Sequence, residues 1–215
     1  MRLGVLASGR GSNFQSIIDA VERGRLNAEI AVLITDNHSA FAIERAKEHN
    51  IEYLVISPGE FGSRDDFYRK VARELEKRKT GLVVLAGFMR IVGKPLIDAF
   101  RGRIMNIHPA ILPAFPGLHG QRQALEYGVR VSGCTVHFVD EGMDTGPIII
   151  QAAVPVSHDD TEDSLSERIL RLEHRIYPEA IRLFSEGKIR IEGRVVRVEG
   201  GIAPDAFLVN PPLRD

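Results

Sequence analysis

Three short segments carry residues whose types and spacing could do chemistry. Asn106 and His108 stand two apart in an apolar stretch. In an extended chain such a pair points to one side, so an amide donor and an imidazole can face one pocket. That combination suits stabilising an oxyanion and moving a proton; a structural histidine explains His108 equally well. Asp140 to Pro147 (D-E-G-M-D-T-G-P) lies between two expected strands. Hairpin chemistry accounts for its acids and glycines. If the hairpin brings Asp144 back to His108, its carboxylate would hold the imidazolium form. The third segment is S-G-R-G-S-N, where Gly9, Gly11, Ser12 and Asn13 separate an apolar run from a helical pattern. Backbone N–H groups at a helix start make an anion site, and a tight turn capped by Ser12 or Asn13 reads as well. Gly9 and Gly11 match the first two glycines of the dinucleotide fingerprint, but Phe14 stands at the third. Asp36, at the end of the second expected strand, keeps that oxidoreductase reading open. No metal site is expected: the seven histidines show no H-x-x-x-H pair, and Cys134 is the single cysteine.

The elements that must position these residues follow from periodicity. Apolar runs at Leu3–Ala7, Ile30–Ile34, Ile51–Ile56 and Leu82–Ala86 read as strands buried on both faces. Helical spacing joins them at Phe14–Val21, Ala40–His49 and Ser63–Lys79. This rhythm predicts an α/β fold: an open, Rossmann-like, mostly parallel sheet with helices on both faces. Ile104–Ile107 is a further strand running into a proline-rich loop. Ser132–Val139 and Pro147–Pro155 read as antiparallel strands in the C-terminal part. A long helix begins near Asp160, with Pro178 expected to kink or interrupt it, and Val195–Val198 reads as a small last strand. Residues 1–190 are expected to form one catalytic domain, and 191–215 a C-terminal extension with a short strand and a loose tail.

The 215 residues include 28 basic and 29 acidic side chains, with 44% hydrophobic and 27% charged residues. That is the mix of an ordinary globular protein. A net charge of −1 gives no footprint for nucleic acid or an anionic membrane, so small-molecule partners are expected. The single cysteine fits a reducing compartment. The N-terminus turns polar too soon for a signal peptide, and the longest apolar run, Leu82–Met89, is far short of the ~20 residues of a membrane span. The expected location is cytoplasmic.

Four blocks in order carry a resemblance: L-A-S-G-R-G-S-N from Leu6, L-A-G-F-M-R-I-V from Leu85, N-I-H-P-A-I-L-P-A-F-P-G-L-H-G from Asn106, and G-C-T-V-H-F-V-D-E-G-M-D-T-G-P-I-I-I-Q from Gly133. Over residues 1 to about 190 the chain resembles the phosphoribosylglycinamide formyltransferase family of folate-dependent formyltransferases. The resemblance implies formyl transfer from the co-substrate 10-formyltetrahydrofolate to the amine of glycinamide ribonucleotide, in purine synthesis. It implies Asn106, His108 and Asp144 as the catalytic trio. Gly11, Ser12, Asn13, Leu170, Arg171, Leu172 and Glu173 would hold the ribonucleotide. Arg64, Met89, Arg90, Ile91, Val92, Asn106 and the loop Asp140, Glu141, Gly142, Met143 and Asp144 would hold the folate. Gln121 departs from a histidine common in the family, and Arg10 fills a variable position. His119 and His137 fit the pattern and either border the site or serve structure. With Cys134 in mid-strand no nucleophile stands out, so direct transfer without a covalent enzyme intermediate is expected, by a monomer or homodimer. A methionyl-tRNA formyltransferase would carry an added C-terminal domain, and a deformylase an N-terminal regulatory one. A non-catalytic binding module would have no need of the trio. Both substrates are anions, so local devices must attract them: Gly11–Asn13, Arg64 and Arg90 are the candidates.

Overall fold

Residues 1–199 are described by a computed structural model. In chain order they form β1 (Arg2–Leu6), α1 (Ser12–Glu22), β2 (Glu29–Thr35), α2 (Ala42–Glu48), β3 (Tyr53–Val55), α3 (Arg64–Lys77), β4 (Leu82–Leu85) and α4 (Lys94–Ala99). Then follow β5 (Ile104–His108), α5 (Gly120–Tyr127), β6 (Val131–Phe138), β7 (Ile148–Pro155), α6 (Glu162–Ser185), β8 (Ile189–Glu192) and β9 (Val195–Val198). One sheet takes the order β3-β2-β1-β4-β5-β6-β7-β9-β8. Strands β3 to β5 in that order run parallel, β6 and β7 continue antiparallel, and the β8–β9 hairpin extends the edge. The hairpin starts at Ile189 and so spans residue 190. The tail expected to be loose falls at 200–215, outside the described residues.

The two-residue period of the strands divides the core. Leu3, Val5, Leu82, Val84 and Met105 face α1, α2 and α6. Leu6, Val32, Ile34, Val83, Leu85 and Ile104 face α3 and α4. Covering both faces explains why these strands are apolar without alternation. Helix α3 starts where Ser63 Oγ accepts from the Asp66 N–H, and α6 starts with a capping box between Thr161 and Ser164.

Pro178 does not interrupt α6, contrary to expectation; the helix runs unbroken through it for 24 residues. A proline inside a helix forfeits one N–H bond and crowds the carbonyl four back. Its neighbours Tyr177, Ala180 and Ile181 are fully buried against the sheet and hold the helix in place. The Tyr177 hydroxyl lies 2.9 Å from the Leu85 carbonyl and 3.0 Å from that of Met105, joining α6 to both β4 and β5. Among the described residues no helix is long and apolar enough to cross a membrane. Nor does any group of three or more His, Cys, Asp or Glu side chains among them suit a metal ion.

Away from the site, Glu74 accepts hydrogen bonds from Lys70, Lys77 and Arg78 at 2.8–2.9 Å, and Arg78 also pairs with Glu52. The Lys77, Arg78 and Lys70 bonds pull the Glu74 carboxyl down to about 2, from an ordinary 4.5. A lowered carboxyl contributes stability that is complete above the ordinary value and fades as pH falls through the folded one. Glu74→Gln should therefore cost about 1–2 kcal/mol at neutral pH, a Tm drop of roughly 2–8 °C for a chain this long. The gap between wild type and variant should close between pH 4.5 and about 2 in a series of thermal melts.

Candidate active site

The chain runs outward from β1 to β2 and β3, then returns past β1 to β4, so the winding reverses between β1 and β4. Ligands of open α/β sheets bind outside the carboxyl ends of the strands at such a reversal. A cavity of about 1110 Å³ opens there, lined by the segments that leave β1, β4 and β5 together with Asn13, Glu173 and the loop from Val139 to Thr145.

Behind β1 the glycine loop turns into α1 at Gly11, whose φ of 67° is left-handed. A Cβ there would lie 2.8 Å from that of Ala42, so both conformation and space demand glycine. The first N–H groups of α1 have no carbonyl one turn back to bond. Expected caps do not form: among the described residues no side chain accepts a hydrogen bond from this helix start. Asn13 turns inward instead, its Nδ2 donating 2.7 Å to Glu173 Oε2 from α6 in a buried pair. Burial pushes the Glu173 carboxyl up, opposed by the Asn13 hydrogen bond. The remaining acceptor, Asn13 Oδ1, is buried and has no partner among the described residues. Such an atom costs about 1–3 kcal/mol unless a donor reaches it.

Asn106 and His108 extend from β5, and the hairpin between β6 and β7 does return Asp144 to them. His108 Nδ1 lies 3.4 Å from Asp144 Oδ2, and its Nε2 is 2.8 Å from the Phe115 carbonyl. Asp144 has a φ of 53°, and the Gly117 N–H donates 2.8 Å to its Oδ2. The loop holding it is itself tied: Asp140 Oδ1 accepts from the Gly142 N–H and the Thr145 hydroxyl. On β6, directly opposite Asn106, stands His137. Its Nδ1 faces the Phe138 carbonyl at 2.8 Å, and its Nε2 meets Asn106 Nδ2 at 3.2 Å. Burial lowers its pKa and favours the neutral ring, leaving Nε2 as the acceptor for the Asn106 amide.

The mouth of the cavity is more apolar. Met89, Ile91, Leu118 and Met143 are exposed there, a usable surface for a flat ring system. Arg64 donates to the carbonyls of Ile91 and Val92 at 2.6 and 3.2 Å and pairs with no carboxylate among the described residues. Tyr68 adds a bond of 2.8 Å to the Ile91 carbonyl, and burial lifts its hydroxyl to about 12. Arg90 pairs through Nε with Asp36. That pair answers two sequence expectations at once. Asp36 is engaged and does not line the cavity, so the dinucleotide reading loses its ribose acid; and the charge of Arg90 is already compensated.

Most of the expected site residues meet around this one space: Gly11, Ser12, Asn13, Arg64, Met89, Arg90, Ile91, Val92, Asn106, His108, Asp140, Gly142, Met143, Asp144 and Glu173. Four do not line it. Glu141 is exposed and faces Lys94 and Arg101 at 3.7 and 3.6 Å. On α6, Arg171 is exposed while Leu170 and Leu172 are half-buried beside the inward Glu173. His137, one of two readings in the sequence, lines the cavity, as does Gln121. Tyr68, Phe61 and the Phe115 carbonyl were missed. The two rings carry no local signal that separates them from core residues, and a backbone carbonyl has no residue type to read. Cys134 is fully buried in β6, with its thiol raised to about 12 by burial, and takes no part.

Comparison with known proteins bears on this geometry. Residues 1–181 match the family described as formyl transferase. The chain is 39% identical over 204 residues to phosphoribosylglycinamide formyltransferase of Escherichia coli strain K12, covering 95% of this chain and 96% of that protein. It is 45% identical over 196 residues to the trifunctional purine biosynthetic protein adenosine-3 of Drosophila melanogaster, covering 90% of this chain but spanning only 14% of that relative's length. The crystal structure of glycinamide ribonucleotide transformylase 1 from Symbiobacterium toebii superimposes with a TM-score of 0.91 at 54% identity, covering 92% of this chain and 93% of that one.

Gly11→Ala should cost about 1–2 kcal/mol of stability through the left-handed φ alone, roughly 2–8 °C in Tm. It should also weaken inorganic phosphate binding at the loop severalfold, read by calorimetric titration. A variant that binds phosphate like wild type would remove the loop conformation as the cause.

Proposed function

The chain belongs to the formyl transferase family, and from that premise we propose that it transfers the formyl group of 10-formyltetrahydrofolate to the amine of glycinamide ribonucleotide, a step of de novo purine synthesis. The observation that carries this reading is the meeting of Asn106, His108 and Asp144 in one cavity with the glycine loop and Glu173. The loop's N–H groups receive the phosphate. Glu173 and the unpartnered Asn13 Oδ1 receive hydroxyl or amine donors of the ribonucleotide. The folate ring enters against Met89, Ile91 and Met143, with Arg64 beside its anionic end. Near-balanced charge on the chain suits two small molecules held by local groups. On this reading the protein works in the cytoplasm, as a monomer or homodimer, without nucleic acid, membrane or metal.

The amine attacks the formyl carbon directly and its oxygen gains negative charge in the tetrahedral intermediate. Asn106 Nδ2 and His108 Nε2 donate to that oxygen, His108 by exchanging the Phe115 carbonyl for it. A preorganised donor of this kind is worth roughly 3–4 kcal/mol in acyl transfer. Asp144 holds His108 through Nδ1 and takes part in passing the proton lost by the amine toward the departing folate nitrogen. No side chain becomes formylated; the single thiol is sealed in the sheet.

Mixing the protein with both substrates and reading formylated ribonucleotide by mass spectrometry tests the reaction. Its absence would overturn the proposal, and formate released without ribonucleotide would make the chain a deformylase. A formylated protein in donor-only incubations would overturn direct transfer. Asp144→Asn should lower kcat at least about tenfold with Tm nearly unchanged; near-normal turnover would remove Asp144 from the trio.

A further inference from the structure

Resting on that reading, we infer that Arg45 is a positioning residue for the phosphate site, although it touches no substrate. Two successive carbonyls of the glycine loop are held from behind by α2. The Ala42 N–H donates 3.1 Å to the Gly9 carbonyl, and Arg45 Nε donates 3.0 Å to the Arg10 carbonyl. In a trans peptide the C=O and N–H point to opposite sides. Holding those two oxygens against α2 therefore turns the N–H groups of Arg10 and Gly11 the other way, where Gly9, Arg10 and Gly11 line the cavity.

Arg45 is itself locked. Its Nη1 donates 2.9 Å to Gln15 Oε1 in α1, and its guanidinium lies 5.1 Å from the Phe41 ring centre. Gln15 Nε2 is fixed in turn by Asp19 Oδ1 at 2.9 Å. The planar fork thus spans the loop carbonyl and the first helix at once, a task a lysine ammonium cannot copy. The site's donors are set by a residue 34 positions downstream of Gly11, on a different helix. Arg45 acts on one substrate only, since nothing in these contacts reaches the folate side of the cavity.

Arg45→Lys keeps the charge and removes the fork. Steady-state kinetics with both substrates varied should show KM for the ribonucleotide raised about tenfold, with kcat and KM for the formyl donor within about twofold. Inorganic phosphate, used as a competitor, should lose affinity by the same factor. An unchanged ribonucleotide KM overturns the inference, and so does a parallel shift in both KM values and kcat, which is what general loosening would give. Should the lysine variant melt too low to assay, Gln15→Leu leaves Arg45 present but frees its Nη1. A wild-type ribonucleotide KM in that variant also overturns the inference. A wild-type protein that formylates no ribonucleotide fails the proposed reaction instead, so the two failures are distinguishable.

Discussion

Strand β4 lies parallel between β1 and β5, and every group at the candidate site depends on that pairing. Parallel neighbours send their carboxyl ends to the same edge, so the glycine loop, the Met89–Val92 segment and the Asn106–His108 pair emerge side by side. The glycine loop stands some 75 to 100 positions before the other two, which are themselves about 15 apart, so sequence proximity does not bring the three together. The pairing is reinforced from one face by the Tyr177 hydroxyl, which sits against carbonyls of both β4 and β5. The same helix delivers Glu173 one turn earlier, to meet Asn13. Helix α6 thus braces the strands and completes the pocket they open, and it runs unbroken past Pro178 with Tyr177, Ala180 and Ile181 buried.

Polar groups in the pocket are handled by pairing each with a partner that leaves one function free. His137 keeps a neutral ring by being sealed from water, and so accepts from Asn106. Arg90 spends its charge on Asp36, whereas Arg64 gives its donors to backbone carbonyls and keeps its charge. The anionic substrates of the proposed reaction would therefore meet local cations such as Arg64 and a set of backbone dipoles, a fine division that a net charge of −1 conceals.

Much of this architecture was legible in the residues, and the failures share a cause. Four strands announced themselves as apolar runs because both sheet faces are covered. Helices α4 and α5, of six and eight residues, were not seen. One starts between Gly93 and Pro95 and the other at Gly120, residue types that read as loop. Strand β8 (I-R-I-E) was likewise missed as a four-residue edge strand with one partner. Within the site, Asn106, His108 and Asp144 could be singled out from residue type and spacing, whereas Glu173 and Arg64 came only from the family resemblance. The partnership of Arg90 with Asp36 was hidden, because 54 positions separate them and each had a plausible reading alone. Leu170 to Leu172, which the resemblance sets beside Glu173, do not line the cavity, because neighbours on a helix point about 100° apart.

Cys134 lies at the centre of β6, paired with Ala152 of β7 and wholly shielded. A thiol so placed is reachable by a reagent only when the core around β6 opens, which is the loss of the fold itself. The chain thus carries an internal gauge of its own integrity: labelling at one atom counts global openings, undisturbed by loop motion at the pocket, and copies of the folded protein have no accessible sulfur with which to cross-link.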